Sequence, residues 1–154
     1  MSSELYQNIQ TFYDQSSALW ESTWGEHMHH GYYGPTGNHR KHDRYQAQID
    51  LIDQLLRWAQ IEQATAILDA GCGIGGSALY LCDRYQAQVS GVTLSPAQAT
   101  RATERAALAG LSDFSWRMSS TPRFLTPSST SFGRWKAANT IPTRGNFFKK
   151  AIAF

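Results

Sequence analysis

The segment Ile67-Leu68-Asp69-Ala70-Gly71-Cys72-Gly73-Ile74-Gly75-Gly76 constrains this chain more than any other. A short apolar run stops at an acid and then breaks into four glycines within six residues. That pattern predicts a buried strand running into a tight turn, because glycine tolerates positive φ and lets a ligand approach the backbone. Ser77-Ala78-Leu79-Tyr80-Leu81-Cys82 then resumes a helical pattern. Strand, glycine loop and helix N-terminus together form a cradle suited to a nucleotide.

Two ligand classes compete for such a loop. Gly71, Gly73 and Gly76 satisfy the dinucleotide spacing G-x-G-x-x-G, which alone is a weak signal. Asp69, two residues before the first glycine, fits better the acidic-x-G-x-G pattern of S-adenosylmethionine (SAM) sites. There the ligand has no pyrophosphate, and its amino-acid end carries an ammonium that an acid at the strand end attracts. The SAM reading is preferred, and a glycine turn that binds nothing ranks below both.

The flanking sequence places this loop in an alternating α/β chain. Leu5, Ile9, Phe12 and Tyr13 recur at helical spacing, and Tyr45, Ile49, Ile52, Leu55, Leu56 and Ala59 mark a stronger helix. After the loop and its helix, Gln88 to Leu94 reads as a second strand. Ser95 and Pro96 then open a helix at its cap and first position, and Gly110 sits where a C-terminal glycine belongs. Phe114-Ser115-Trp116 starts a third strand. Strand, helix, strand, helix at this spacing predicts a parallel sheet.

At 154 residues the chain has the length of one domain, and its formal charge of +2 conceals an asymmetry. Residues 1–117 carry a net −4, whereas residues 118–154 carry +6 and no acid at all. The basic balance therefore describes the tail, and it points to no nucleic-acid partner, though a basic tail is compatible with contact at an anionic membrane surface. Cys72 and Cys82 are too few for a disulfide framework and read as free thiols. No stretch has the length of a membrane span, and the N-terminus has neither a signal-peptide core nor the composition of a transit peptide. The expected location is the cytoplasm.

Between the first two helices, Trp24 to Pro35 mixes aromatics, histidines and glycines without a period. Its Glu26, His27, His29 and His30 lack the second cluster that a metal site needs. Two readings stay open: packing within an aromatic lid, or a histidine that orients or deprotonates a substrate.

Four strings in order, Tyr13 to Glu21, Trp24 to Tyr33, Leu68 to Gly76 and Gly91 to Gln98, resemble the tocopherol O-methyltransferase family over residues 5–117. The resemblance implies a Rossmann-like class I methyltransferase sheet, cut off after about three parallel strands, with N-terminal helices and an irregular C-terminal tail. It implies N-terminal helices and lid over residues 1–60, a SAM-binding half over 61–117 and a non-homologous tail over 118–154. It implies SAM as cofactor and a small acceptor, aromatic or prenylated and phenolic, that can be dissolved in a membrane. Asp69, Gly71, Cys72, Gly73 and Gly75 would border the methionine part of SAM, and Thr93, Leu94 and Gln98 would lie by the ribose. The Met28 and His29 neighbourhood would close over the cofactor, with His27 or His29 as the candidate base. Thr93-Leu94-Ser95 stands where a dinucleotide site wants an acid for the ribose, which weakens that alternative.

The family pattern stops at Arg117. Residues 118–131 contain eight Ser or Thr, and no capped helix or clean strand follows. Read with each codon starting one base earlier, Trp135-Lys136 forces a Glu and Asn139-Thr140 allows only His or Tyr. In that frame residues 130–143 are compatible with F-D-L-V-W-S-L-E-S-G-E-H-Y-P-D, the first F coming from the preceding serines, and the string resembles the next motif of the family. A one-base shift near Arg117 or Met118 is therefore expected, with a poorly ordered tail, an open edge on the first strand and weak SAM binding by this polypeptide.

Overall fold

A computed structural model of the chain describes residues 3–37, 43–111, 114–118 and 151–152, the last two segments by their backbone. In order it contains α1 (Ser3–Trp24), α2 (Arg44–Trp58), β1 (Ala66–Ala70), α3 (Gly76–Tyr85), β2 (Gln88–Thr93), α4 (Pro96–Leu108), β3 (Phe114–Met118) and β4 (Ala151–Ile152). The strands form one parallel sheet in the order β3-β2-β1-β4, with Asp69 level with Gly91. This is the α/β arrangement expected from the alternating pattern.

The core lies where α2 and α3 pack on β1 and β2, and it gathers Ile52, Leu56, Ile67, Cys72, Ala78, Leu81, Cys82 and Val89. Both cysteines are buried there, and neither forms a disulfide among the described residues. Helix α4 is capped as its sequence implies: Ser95 Oγ accepts from the Gln98 amide, Pro96 occupies the first turn and Gly110 follows at φ +68°.

Three features differ from the sequence-based expectation. The apolar stripe of α1 stays outside, with Leu5, Phe12, Tyr13 and Leu19 all exposed, Leu19 by 69%. The helix docks instead by polar contacts, because its opposite face carries Asp14, Ser17 and Glu21. Asp14 Oδ1 accepts from the Ser95 hydroxyl and, at 3.2 Å, from the Ala97 amide at the start of α4. Glu21 takes a fork from Arg101, with Nε 3.0 Å from both carboxylate oxygens and Nη2 2.7 Å from one. In α2 the buried face runs through Ala47, Gln48, Ile52 and Leu56 rather than through Tyr45.

The third difference is at the edge of β1. That edge was expected to be open, yet Ala151 and Ile152 pair with Leu68 and Asp69 in parallel, which satisfies part of an otherwise unpaired row of backbone groups. The rest of the tail reading, including the shifted frame over residues 130–143, lies outside the described residues.

Candidate functional site

Asp69 ends the apolar run of β1, and both its carboxylate oxygens are buried without a hydrogen-bond partner among the described residues. The residue is 1% exposed. Burial alone pushes its carboxyl up to about 7, because a charge removed from water without a counter-ion is disfavoured. An unpaired buried carboxylate is costly in a fold, so this position suits a cationic ligand group.

The glycine loop lines the same cavity as that carboxylate. The amides of Gly71 and Cys72 both donate to the Val92 carbonyl, at 2.8 and 3.0 Å, and so tie the loop to the end of β2. The Gly75 amide closes the turn on the Cys72 carbonyl at 2.8 Å. Gly71, Gly73 and Gly75 have φ of +97°, +52° and +87°, values that a residue with a Cβ adopts only under strain. Gly75 also packs on α4, where a Cβ would come within 3.1 Å of the Ala102 Cβ.

A lid crosses the loop. It comprises residues 26–33 between two left-handed glycines, Gly25 (φ +79°) and Gly34 (φ +82°). Its backbone lies on the start of α3 so closely that a Cβ on Gly76 would be driven into the Glu26 carbonyl oxygen. Beneath it remains a cavity of about 60 Å³, lined by Glu26 to His29 above and by Asp69, Gly71, Cys72 and Gly73 below.

The two expected histidines differ in setting. His29 Nδ1 lies 2.8 Å from the His30 carbonyl, which can only accept, so Nδ1 carries the proton. Its Nε2 then accepts from Ser77 Oγ at 3.2 Å, at the first turn of α3. His27 is 2% exposed, with Nδ1 buried and without a hydrogen-bond partner among the described residues. Burial first, then His29 and Arg105, lower its pKa to about 4, so it stays neutral at physiological pH. The Cys72 thiol, pushed up to about 12 by burial and by Asp69, stays protonated while the lid is down.

Thr93, Leu94 and Gln98 gather at the end of β2, outside the cavity beneath the lid. The Thr93 hydroxyl donates to Gln98 Oε1 at 2.8 Å and accepts from the Ser95 amide at 3.2 Å. With Oε1 engaged, the amide nitrogen of Gln98 is the group it can offer a ligand. The structure thus brings Asp69, Gly71, Cys72, Gly73, His27 and His29 into one site, packs Gly75 against α4 instead, and leaves the β2 group as a neighbouring one.

Sequence reasoning missed Gln48, Tyr45, Ser77 and Arg105. Gln48 was detectable: it stands four residues before Ile52 and eight before Leu56, a polar residue on an apolar stripe. Arg105 looked like an ordinary surface residue of α4, but its side chain is only 9% exposed and its Nη2 pairs with Glu26 at 2.8 Å.

Known proteins bear out this architecture. The chain is 46% identical over 114 residues to a probable tocopherol O-methyltransferase, chloroplastic, of Oryza sativa subsp. japonica, a match covering 71% of this chain and 32% of that protein. Among solved structures, the [4+2]-cyclase SpnF superposes with a TM-score of 0.66 at 27% identity, covering 79% of this chain and 44% of that one. The geranyl diphosphate C-methyltransferase of Streptomyces coelicolor A3(2), solved with Mg2+, geranyl diphosphate and S-adenosyl-L-homocysteine, superposes at 0.60 with 25% identity over 79% of this chain and 49% of that one. The chain spans about a third of the length of the curated relatives it matches. Its residues 2–116 match the family described as mycolic acid cyclopropane synthetase, and with its parallel sheet and glycine loop it belongs to that family as a class I methyltransferase domain.

Proposed function

We propose that this chain is the N-terminal, cofactor-binding part of a SAM-dependent methyltransferase that acts on a small aromatic or prenylated phenolic acceptor, such as a tocopherol or quinol precursor. The observation that carries the reading is the unpartnered carboxylate of Asp69 inside the glycine loop. The donor set fits the group: a cationic ammonium beside Asp69 would return the carboxylate to its ionised form. When bound, SAM supplies a methyl group on a sulfonium that is already a good leaving group.

The residues of this chain would hold and shield it. Asp69 binds the ammonium, and Gly71, Cys72, Gly73 and Gly75 border the methionine part. Thr93 orients Gln98 toward the ribose, with Leu94 as the apolar neighbour. The lid excludes water from the methyl group. Of the two histidines, His29 is our candidate base, since its Nε2 is the acceptor nitrogen and would take a proton from the acceptor hydroxyl. His27 packs beneath the lid in neutral form. A membrane-dissolved acceptor would be met by the exposed apolar side chains of α1, among them Leu5, Phe12 and Leu19. Among the described residues no helix is long and apolar enough to cross a membrane. We keep the cytoplasm as the proposed compartment, and imaging of a tagged chain decides between it and the chloroplast named for the rice relative.

The small cavity beneath the lid, about 60 Å³, favours a second reading, a catalytically inactive chain that keeps the cofactor loop. The tests are thermal unfolding with millimolar SAM or NAD, followed by a methyl-transfer assay with labelled SAM. Stabilisation by SAM without an effect of NAD supports the cofactor assignment, and the reverse overturns it. Label transferred to a phenolic acceptor excludes the second reading. Resequencing the gene near Arg117 tests the one-base shift, which predicts a long open frame once a base is added or removed.

A further inference from the structure

The cavity beneath the lid raises a difficulty that other residues answer. Sites for small molecules enclose roughly 300–1,000 Å³, and the space left over the glycine loop is about 60 Å³. Both oxygens of Asp69 are sealed from solvent. Among the described residues, a ligand of nucleoside size finds room over the glycine loop only with residues 26–33 lifted away.

Several bonds hold them down, among them the Tyr32 amide on the Ala47 carbonyl at 2.7 Å and Ser77 Oγ on His29 Nε2 at 3.2 Å, and one side chain makes more than one of them. Gln48, fully buried on α2, points its amide nitrogen at two lid carbonyls, His27 at short range and His29 at 2.9 Å, and at the Trp24 carbonyl at the end of α1, 3.4 Å away. The amide cannot be turned over, because Oε1 would then face three acceptors. Its Oε1 has no partner among the described residues, so the group is placed for its donors. A second grip comes from α4, where Arg105 Nη2 holds Glu26 Oε2 at 2.8 Å. The segment between these grips is bounded by Gly25 and Gly34, both at positive φ and suited to act as hinges.

We propose that Gln48 is the positioning residue of this lid, assisted by Arg105, and that access to the glycine loop is governed by release of the Gln48 amide from the lid carbonyls. The meaning of the device as a cofactor gate rests on the function proposed above; the device itself does not.

The two cysteines provide the test. Cys72 lines the cavity under the lid, whereas Cys82 is buried on α3 in the core. The full chain is treated with methyl methanethiosulfonate under native conditions, without cofactor, and each site is followed by peptide mass spectrometry. Cys72 is expected to react faster than Cys82 in the parent chain. Gln48→Glu keeps the shape and loses both N–H donors at pH 8, so Cys72 should label roughly 10- to 100-fold faster with Cys82 unchanged. Arg105→Met should accelerate Cys72 alone by roughly three- to tenfold.

A Cys72 rate within twofold of the parent in Gln48→Glu overturns the proposal, as does a rise of both cysteines in step, which marks a residue needed by the whole fold. Should Gln48→Glu not fold, Arg105→Met carries the same decision, with Cys72 alone accelerated or the proposal rejected. A chain that binds no SAM would leave these rates standing, and unchanged rates would leave the cofactor assignment standing.

Discussion

Replacing Asp69 by Asn should make the ligand-free protein more stable, and the gain should depend on pH. The carboxyl is buried without a partner and titrates at about 7 instead of the ordinary 3.8. Each pH unit of that difference corresponds to about 1.4 kcal/mol, so ionised Asp69 costs the folded state about 4 kcal/mol above pH 7. The sign follows from proton counting. Between 3.8 and 7 the folded chain holds a proton that the unfolded chain has released, so stability falls as pH rises through this window. Asn carries no charge, and the desolvation of its amide is the same at every pH.

Urea unfolding followed by circular dichroism, without ligand, should therefore show Asp69→Asn more stable than the parent by about 4 kcal/mol at pH 8 and by almost nothing attributable to ionisation at pH 4. The same variant should lose the SAM-dependent stabilisation of the parent, since a charge-assisted contact is worth about 1.5–3 kcal/mol. A gain of equal size at pH 4 and pH 8, or none at pH 8, would refute the claim that a lone buried charge waits there for a cation.

His27 should act in the opposite sense. Its pKa falls from 6.5 to about 4 on folding, so its contribution is complete above pH 6.5 and lost as pH falls toward 4, about 3 kcal/mol in all. In an Asp69→Asn background this slope should appear in urea titrations and vanish on His27→Gln. Gly31→Ala should cost about 1–3 kcal/mol by the same assay, because the new Cβ would lie 2.6 Å from the Ala47 Cβ and 2.9 Å from the Ala47 carbonyl carbon. Asp14→Ala should cost about 1 kcal/mol and loosen α1, measured as faster amide exchange in that helix, since the carboxylate bonds Ser95 and the Ala97 amide at the head of α4.

Much of the scaffold was legible in the residues themselves. The run from Ile67 to Gly76 states a strand, a turn that needs positive φ and a helix start, and Ser95, Pro96 and Gly110 state the ends of α4; each depends on backbone chemistry within a few residues. The acid before the glycines could be picked out for the same reason. That it stands unpartnered and sealed could not, because burial is made by a lid some forty residues earlier in the chain. The docking side of α1 was not legible, because apolar periodicity finds an amphipathic stripe but does not see an opposite polar face docking through Asp14 and Glu21 onto α4, some eighty residues away. Gln48 and Arg105 gained their roles in the same way. A polar side chain takes its function from the carbonyl or carboxylate that packing brings to it, and that partner is chosen by the assembled helices and not by the neighbours in sequence.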